Sequence, residues 1–185
     1  MKRISFLVGA CALLLLAAPT HSHAQMTMPA AKNKAPEDKS KRPSPPATAS
    51  ATVGGAQVKI DYSQPSVKGR EIFGSLEPYG KVWRTGANEA TTFMVSKDVK
   101  INGQSLPAGT YALFTIPGKD EWTIIFNKTA QQWGAFKYDE KQDALRVKVK
   151  PTTLSQPVER FTITADNSGK VAMKWATTEA DFMVK

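Results

Sequence analysis

The sequence predicts an all-β fold: a single antiparallel β-sandwich or jelly-roll-like domain with two long irregular loops. Three observations carry this expectation. From Gln57 onward, short runs of alternating apolar and polar residues recur between turn signals. No part of that region sustains the 3.6-residue apolar period of a long helix. The chain shows no internal repeat, which disfavours propellers and solenoids.

The strands follow in order. Val58, Ile60 and Tyr62 alternate with Lys59 and Asp61. Val99 to Ile101 and Gln104 to Leu106 flank Asn102-Gly103, a pair that tolerates the positive φ of a two-residue hairpin turn. Thr110 to Ile116 reads as the next strand. Pro117 to Asp120 turns it, and Trp122 to Phe126 returns. Leu145, Val147 and Val149 oppose Arg146, Lys148 and Lys150, the pattern of a half-buried strand. Phe161, Ile163 and Ala165 repeat that logic. After the turn Asp166-Asn167-Ser168-Gly169 come Val171, Met173 and Trp175, and Ala180 to Val184 is expected as a separate last strand. Helical character is expected only as single turns, around Arg70 to Leu76 and Glu140 to Leu145. Ser63 to Ala90 and Asn127 to Asp143 break the strand rhythm. Connections of such length in compact domains are often functional.

The N-terminal region reads differently. Lys2 and Arg3, the apolar run Ile4 to Ala18 and the small residues of Ser22-His23-Ala24 follow the order of a secretory signal, so residues 1–24 are expected to be cleaved. The run of 15 residues falls short of the roughly 20 that span a bilayer, so the mature chain is expected to carry no transmembrane segment. Val8-Gly9-Ala10-Cys11 faintly resembles a lipoprotein cleavage box, but Leu13 to Leu16 follow where polar residues belong. A periplasmic or secreted location is the expectation. Residues 25–55 are rich in Pro, Ala, Lys, Ser and Thr and are expected to form a disordered tether, with the folded domain spanning 56–185.

Composition excludes much chemistry. Cys11, His21 and His23 all lie in the leader, so residues 25–185 hold neither thiol nor imidazole. Zinc, haem and iron–sulfur sites lack ligands, and no cofactor is expected. Asp139, Glu140 and Asp143 lack the alternating spacing and the glycine of a calcium loop, so no metal site is expected either. The formal net charge of +9 becomes +7 once Lys2 and Arg3 leave with the leader. That excess is modest and spread out, and an exported chain is not expected to bind nucleic acid. Arg84-Thr85-Gly86 is similar to the Lys-Thr-Gly box of penicillin-recognising enzymes. The companion Ser-x-x-Lys is absent from the folded region, and so is any glycine-rich phosphate loop.

One loop concentrates polar function. Trp83 to Glu89 packs an aromatic ring, a guanidinium, a hydroxyl, a glycine, a carboxamide and a carboxylate into seven positions. Arg84 offers a planar fork of donors suited to carboxylate, sulfate or phosphate. Asn88 both donates and accepts. The expected ligand site therefore comprises Lys68, Arg70, Trp83, Arg84, Asn88 and Glu89. Lys68 and Arg70 supply charge, Arg84, Asn88 and Glu89 orient the ligand, and Trp83 forms a wall. The alternative for the same residues is that Arg84 pairs with Glu89 while Trp83 plugs the core.

Several segments identify a family. Tyr62 to Arg70, Gly80 to Thr91, Leu106 to Tyr111, Trp122 to Asn127 and Leu145 to Val149 resemble a family of exported bacterial domains, domain of unknown function 2911. The string Trp83-Arg84-Thr85-Gly86-Ala87-Asn88-Glu89-Ala90-Thr91 is its most specific part. The resemblance implies one extracytoplasmic β domain behind a signal and brings no catalytic residue, substrate or activity.

The favoured function is a non-catalytic binding module for a small polar or anionic molecule, or a glycan, in a rim pocket. A second is a carboxylate-dependent envelope hydrolase, in which two of Glu71, Glu77, Glu89 and Asp139 share a cleft. A third is an interaction module without a pocket, marked by an exposed apolar patch or a free edge strand. Tyr79, Trp83, Trp133, Phe136 and Tyr138, the aromatics of the irregular stretches, either stack on sugars or cover the sandwich ends.

Overall fold

A computed structural model describes residues 37–185. The expected leader and the first part of the expected tether lie outside the described residues. The strands are β1 (Pro46–Val53), β2 (Ala56–Ser63), β3 (Thr91–Val95), β4 (Val99–Ile101), β5 (Gln104–Leu106), β6 (Gly109–Ile116), β7 (Trp122–Asn127), β8 (Asp143–Val149), β9 (Thr152–Ala165) and β10 (Lys170–Met183). Short 3-10 turns occupy Lys39–Lys41 and Glu140–Gln142. The fold is all-β. A six-stranded antiparallel sheet runs in the order β1-β2-β3-β6-β7-β8, with β9–β10 and β4–β5 as two further antiparallel pairs, and the described residues form no closed barrel.

Periodicity explains which residues face where. In β2 the apolar Val58, Ile60 and Tyr62 turn inward while Gln57 and Lys59 face water. The long β9–β10 hairpin covers that inner face. Phe161, Ile163, Val171, Met173, Trp175 and Phe182 join Ile60, Phe93, Leu113, Ile124 and Phe126 in one core. Tyr62 locks the layers together: its hydroxyl accepts from the Ile163 amide at 3.0 Å. The central strands β6 and β7 are buried on both faces. Ala112, Phe114 and Ile125 point away from the hairpin into a second cluster, roofed by Val82, Ala135 and Tyr138 of the irregular stretches. This is why Tyr111 to Phe114 and Ile124 to Phe126 read as unbroken apolar runs.

The β4–β5 hairpin turns on Asn102 (φ 46°) and Gly103 (φ 85°), the two positive values that a type I′ turn needs. Glu140–Gln142 forms its expected single turn, but Arg70 to Leu76 makes turns without helix.

Three further expectations are corrected. The tether does not extend to residue 55, because Pro46–Val53 pairs along its whole length with β2. Its small Ala, Ser and Thr side chains weaken any sequence pattern yet suit an edge strand lying close to β9. β9 begins at Thr152, well before Phe161, and its outer half is mostly exposed. Ala180 to Val184 is not a separate strand: β10 runs continuously from Lys170, with register shifts about Ala176, which sits at φ 49°.

Candidate functional site

The first irregular stretch is anchored at its root. Trp83 exchanges both backbone hydrogen bonds with Thr115 of β6, at 2.7 and 2.9 Å. Thr91 Oγ1 donates to the Thr85 carbonyl at 2.6 Å, and Thr85 Oγ1 lies 3.2 Å from Thr115 Oγ1. All three threonines are buried. They hold Thr85 at φ 56° and let the chain pass through Gly86 at φ 154° to Asn88 at φ 61°. A β-branched residue in the left-handed region is an uncommon conformation that persists only where its surroundings impose it. The second stretch clasps the first: Ala90 donates to the Gln132 carbonyl at 2.9 Å and Gly134 to the Asn88 carbonyl at 3.1 Å.

Beside this loop lies a cavity of about 330 Å³. One wall is Pro65, Ser66, Lys68 and Arg70, which follow β2. Leu76 and Glu77 come from the next turn, and Arg84, Gly86, Ala87 and Asn88 from the loop. Pro43 and Ser44 close another side, and Trp175 of β10 lines the interior. Lys68 is also left-handed, at φ 48°, so unusual backbone recurs around the cavity.

Four of the six sequence-predicted site residues meet here: Lys68, Arg70, Arg84 and Asn88. Their roles differ. Arg84 Nη1 donates to the Asn88 carbonyl at 3.0 Å, and its guanidinium lies 5.7 Å from the Phe136 ring centre. Arg70 Nε donates to the Val67 carbonyl at 2.9 Å and its Nη2 to Ser66. These contacts orient both forks without neutralising them. Among the described residues, Lys68, Arg70 and Arg84 form no ion pair with any carboxylate. Asn88 is a tie rather than a free donor, since its amide nitrogen donates to the Ser44 carbonyl at 3.0 Å and to Ser63 Oγ at 3.3 Å.

Trp83 and Glu89 lie elsewhere. Trp83 is 3% exposed and packs among Phe73, Phe161 and Trp175, with its Nε1 donating to the Gly86 carbonyl at 3.1 Å. An indole gains most by burying its rings and spending its one donor on a nearby carbonyl, so Trp83 supports the loop and forms no wall. Glu89 does not pair with Arg84. It accepts from Lys39 Nζ and Arg42 Nη1, both at 2.8 Å, in a separate cleft. Burial acts to raise its pKa, but the hydrogen bonds from Lys39 and Arg42 prevail and hold it at about 2. Arg42 also salt-bridges Glu37 at 2.6 Å and lies 5.8 Å from the Trp133 ring centre. Residues 37–45 thus form a strap, pinned through Glu89 and Asn88, that supplies one side of the cavity.

Glu77, Trp175, Pro43 and Ser44 were not among the expected ligand residues. Glu77 is half-buried, and burial pushes its carboxyl up to about 7 against the opposing pull of Arg84 and Arg70. Trp175 is 1% exposed, and its buried Nε1 has no acceptor among the described residues. Sequence signalled Glu77 only as one of four carboxylates. Nothing in it marked the strap. Of the four, Glu77 lines this cavity, Glu89 lines the other cleft, Asp139 caps the Glu140–Gln142 turn, and Glu71 is exposed and lines neither. Asp143 is occupied by Tyr138, Arg146 and Asn127.

A protein-family model described as a protein of unknown function, DUF2911, matches residues 44–184. The chain belongs to the DUF2911 family. The match begins at Ser44, so the DUF2911 region takes in β1 and every wall of the cavity except Pro43. Neither the curated proteins nor the solved structures gave a match to the chain.

Proposed function

We propose that this DUF2911 domain is a non-catalytic binding module that takes a small anionic ligand, outside the cytoplasm, in the cavity beside Arg84. The ligand presents a carboxylate, sulfate or phosphate group, free or carried on a sugar. One observation carries the reading: Lys68, Arg70 and Arg84 converge on a single cavity, while the nearby carboxylate that would neutralise them, Glu89, is taken up by the strap. Three cations against the single carboxyl of Glu77, which burial holds at about 7, leave a net positive potential that an anion relieves. The guanidinium forks provide paired donors, and the unusual backbone around them holds the walls in place before any ligand arrives. The leader-like residues 1–24 support action outside the cytoplasm.

A carboxylate-dependent glycosidase needs two carboxyl groups about 5–9.5 Å apart on one substrate. Of the four candidate carboxylates only Glu77 lines this cavity, so the geometry favours binding over hydrolysis.

Calorimetric titration of the purified protein with sulfate, at constant ionic strength against chloride, tests the reading. Binding with a Kd of about 1 mM or tighter is expected, weakened about tenfold or more in Arg84→Gln. Absence of binding, or equal binding by the variant, rejects it.

A further inference from the structure

Glu77 sits in the proposed anion site yet carries the wrong charge for it. Its position is fixed: its amide donates to the Ile72 carbonyl at 2.9 Å, and its own carbonyl accepts from the Gly74 amide at 2.9 Å. Phe73, between them, is wedged edge-on against Trp83, Trp122 and Trp175. These contacts fix the backbone that carries the carboxyl. Among the described residues that carboxyl accepts no hydrogen bond and forms no ion pair, although Lys68, Arg70 and Arg84 line the same space.

We propose that the cavity takes up its anion together with a proton, which Glu77 binds and offers to the ligand as an O–H donor. The inference rests on the anion-binding reading above. An oxyanion seated among the three cations places a second negative charge beside Glu77. Two neighbouring anions in a partly buried site do not both stay ionised, and the weaker acid takes a proton. The protonated carboxyl then donates to a ligand oxygen in a charge-assisted hydrogen bond. The proton comes from solvent, and no bond of the ligand is made or broken.

The surroundings make this device readable. The titratable groups around Glu77 are Lys68 and Arg70 from the segment after β2 and Arg84 from the loop. The strap contributes Pro43 and Ser44 and β10 contributes Trp175, none of which ionises there. No histidine follows His23. With the free carboxyl held near neutrality, one group in the cavity changes charge across the physiological range.

Sulfate is the probe, because it stays ionised throughout. In the wild-type protein its Kd is expected to rise about tenfold from about pH 6 to about pH 8, with uptake approaching one proton per sulfate at the higher pH. Uptake is read from the enthalpy difference between two buffers of unlike ionisation heat, so the wild-type protein suffices for this arm. Glu77→Gln, which keeps the size of the side chain but cannot titrate, is expected to lose both the pH dependence of sulfate binding and the proton uptake. Sulfate binding that is independent of pH and takes up no proton overturns the inference and leaves the anion site standing. A pH dependence that survives in Glu77→Gln also overturns it. No sulfate binding at either pH overturns both readings.

Discussion

Trp83 and Trp175 stack with ring centres 5.6 Å apart and planes inclined by 15°. The first belongs to the irregular stretch that carries Arg84, the second to the bulged part of β10 that lines the cavity. Phe73 and Phe161 close around them edge-on, so the cavity rests on the aromatic core. Each contact between such rings contributes about 0.5–1.5 kcal/mol beyond the area it buries.

Trp83→Ala should therefore act on stability first. Removing a fully buried indole is expected to cost about 3–5 kcal/mol, read from denaturant unfolding. A loss below about 1 kcal/mol would show that the ring is not part of the core.

Gly86→Ala tests the loop geometry. A Cβ at Gly86 would stand 3.0 Å from the Ser63 carbonyl oxygen and 3.1 Å from Thr91 Oγ1, on a backbone at φ 154°. The first neighbour is main chain and cannot yield cheaply. A loss of about 1–3 kcal/mol is expected, with weaker sulfate binding because Arg84 and Asn88 flank the same turn. Unchanged melting and unchanged binding would refute the account.

The strap should come loose when Glu89 loses its charge. Glu89→Gln is expected to speed tryptic cleavage after Lys39 and Lys41, while lowering global stability by no more than about 1 kcal/mol, since the pairs are partly exposed. Acid should loosen the strap of the parent protein too, read as a loss of its amide protection against hydrogen exchange. The folded pKa of about 2 lies below the ordinary carboxylate value, so this contribution is complete above about pH 4.5 and disappears as pH falls toward 2. Cleavage insensitive to the substitution, together with amide protection insensitive to acid, would place the strap's attachment elsewhere.

Glu77 has the opposite sign. Its pKa is raised in the folded protein, so the fold favours the protonated acid. Its contribution is most favourable below about pH 4.5 and becomes a penalty as pH rises toward 7. Without ligand, Glu77→Gln is expected to match the wild type at about pH 4.5 and to exceed it by about 1–2 kcal/mol at about pH 8, allowing for partial exposure. Thermal unfolding at the two pH values checks this, and a variant less stable than the wild type at the higher pH would contradict it.

Local pattern determined a good deal of this protein. Alternation in β2 and β8, the Asn102-Gly103 turn and the apolar runs of β6 and β7 specify all-β structure, because side-chain period and turn chemistry are written in neighbouring residues. The ends of the two irregular stretches, at Ser63 and Asn127, were legible for the same reason. So was the gathering of unusual polar residues around Arg84. What the local pattern left open depends on pairing between distant segments. Pro46–Val53 is a strand because β2 is there to receive it, and β10 is continuous because β9 holds it across the bulge at Ala176. Likewise, the carboxylate one turn from Arg84 in sequence went to the strap, while Glu77 arrived from another turn. Which charges meet is decided by where the folded chain brings them, and residue spacing along a loop does not encode that distance.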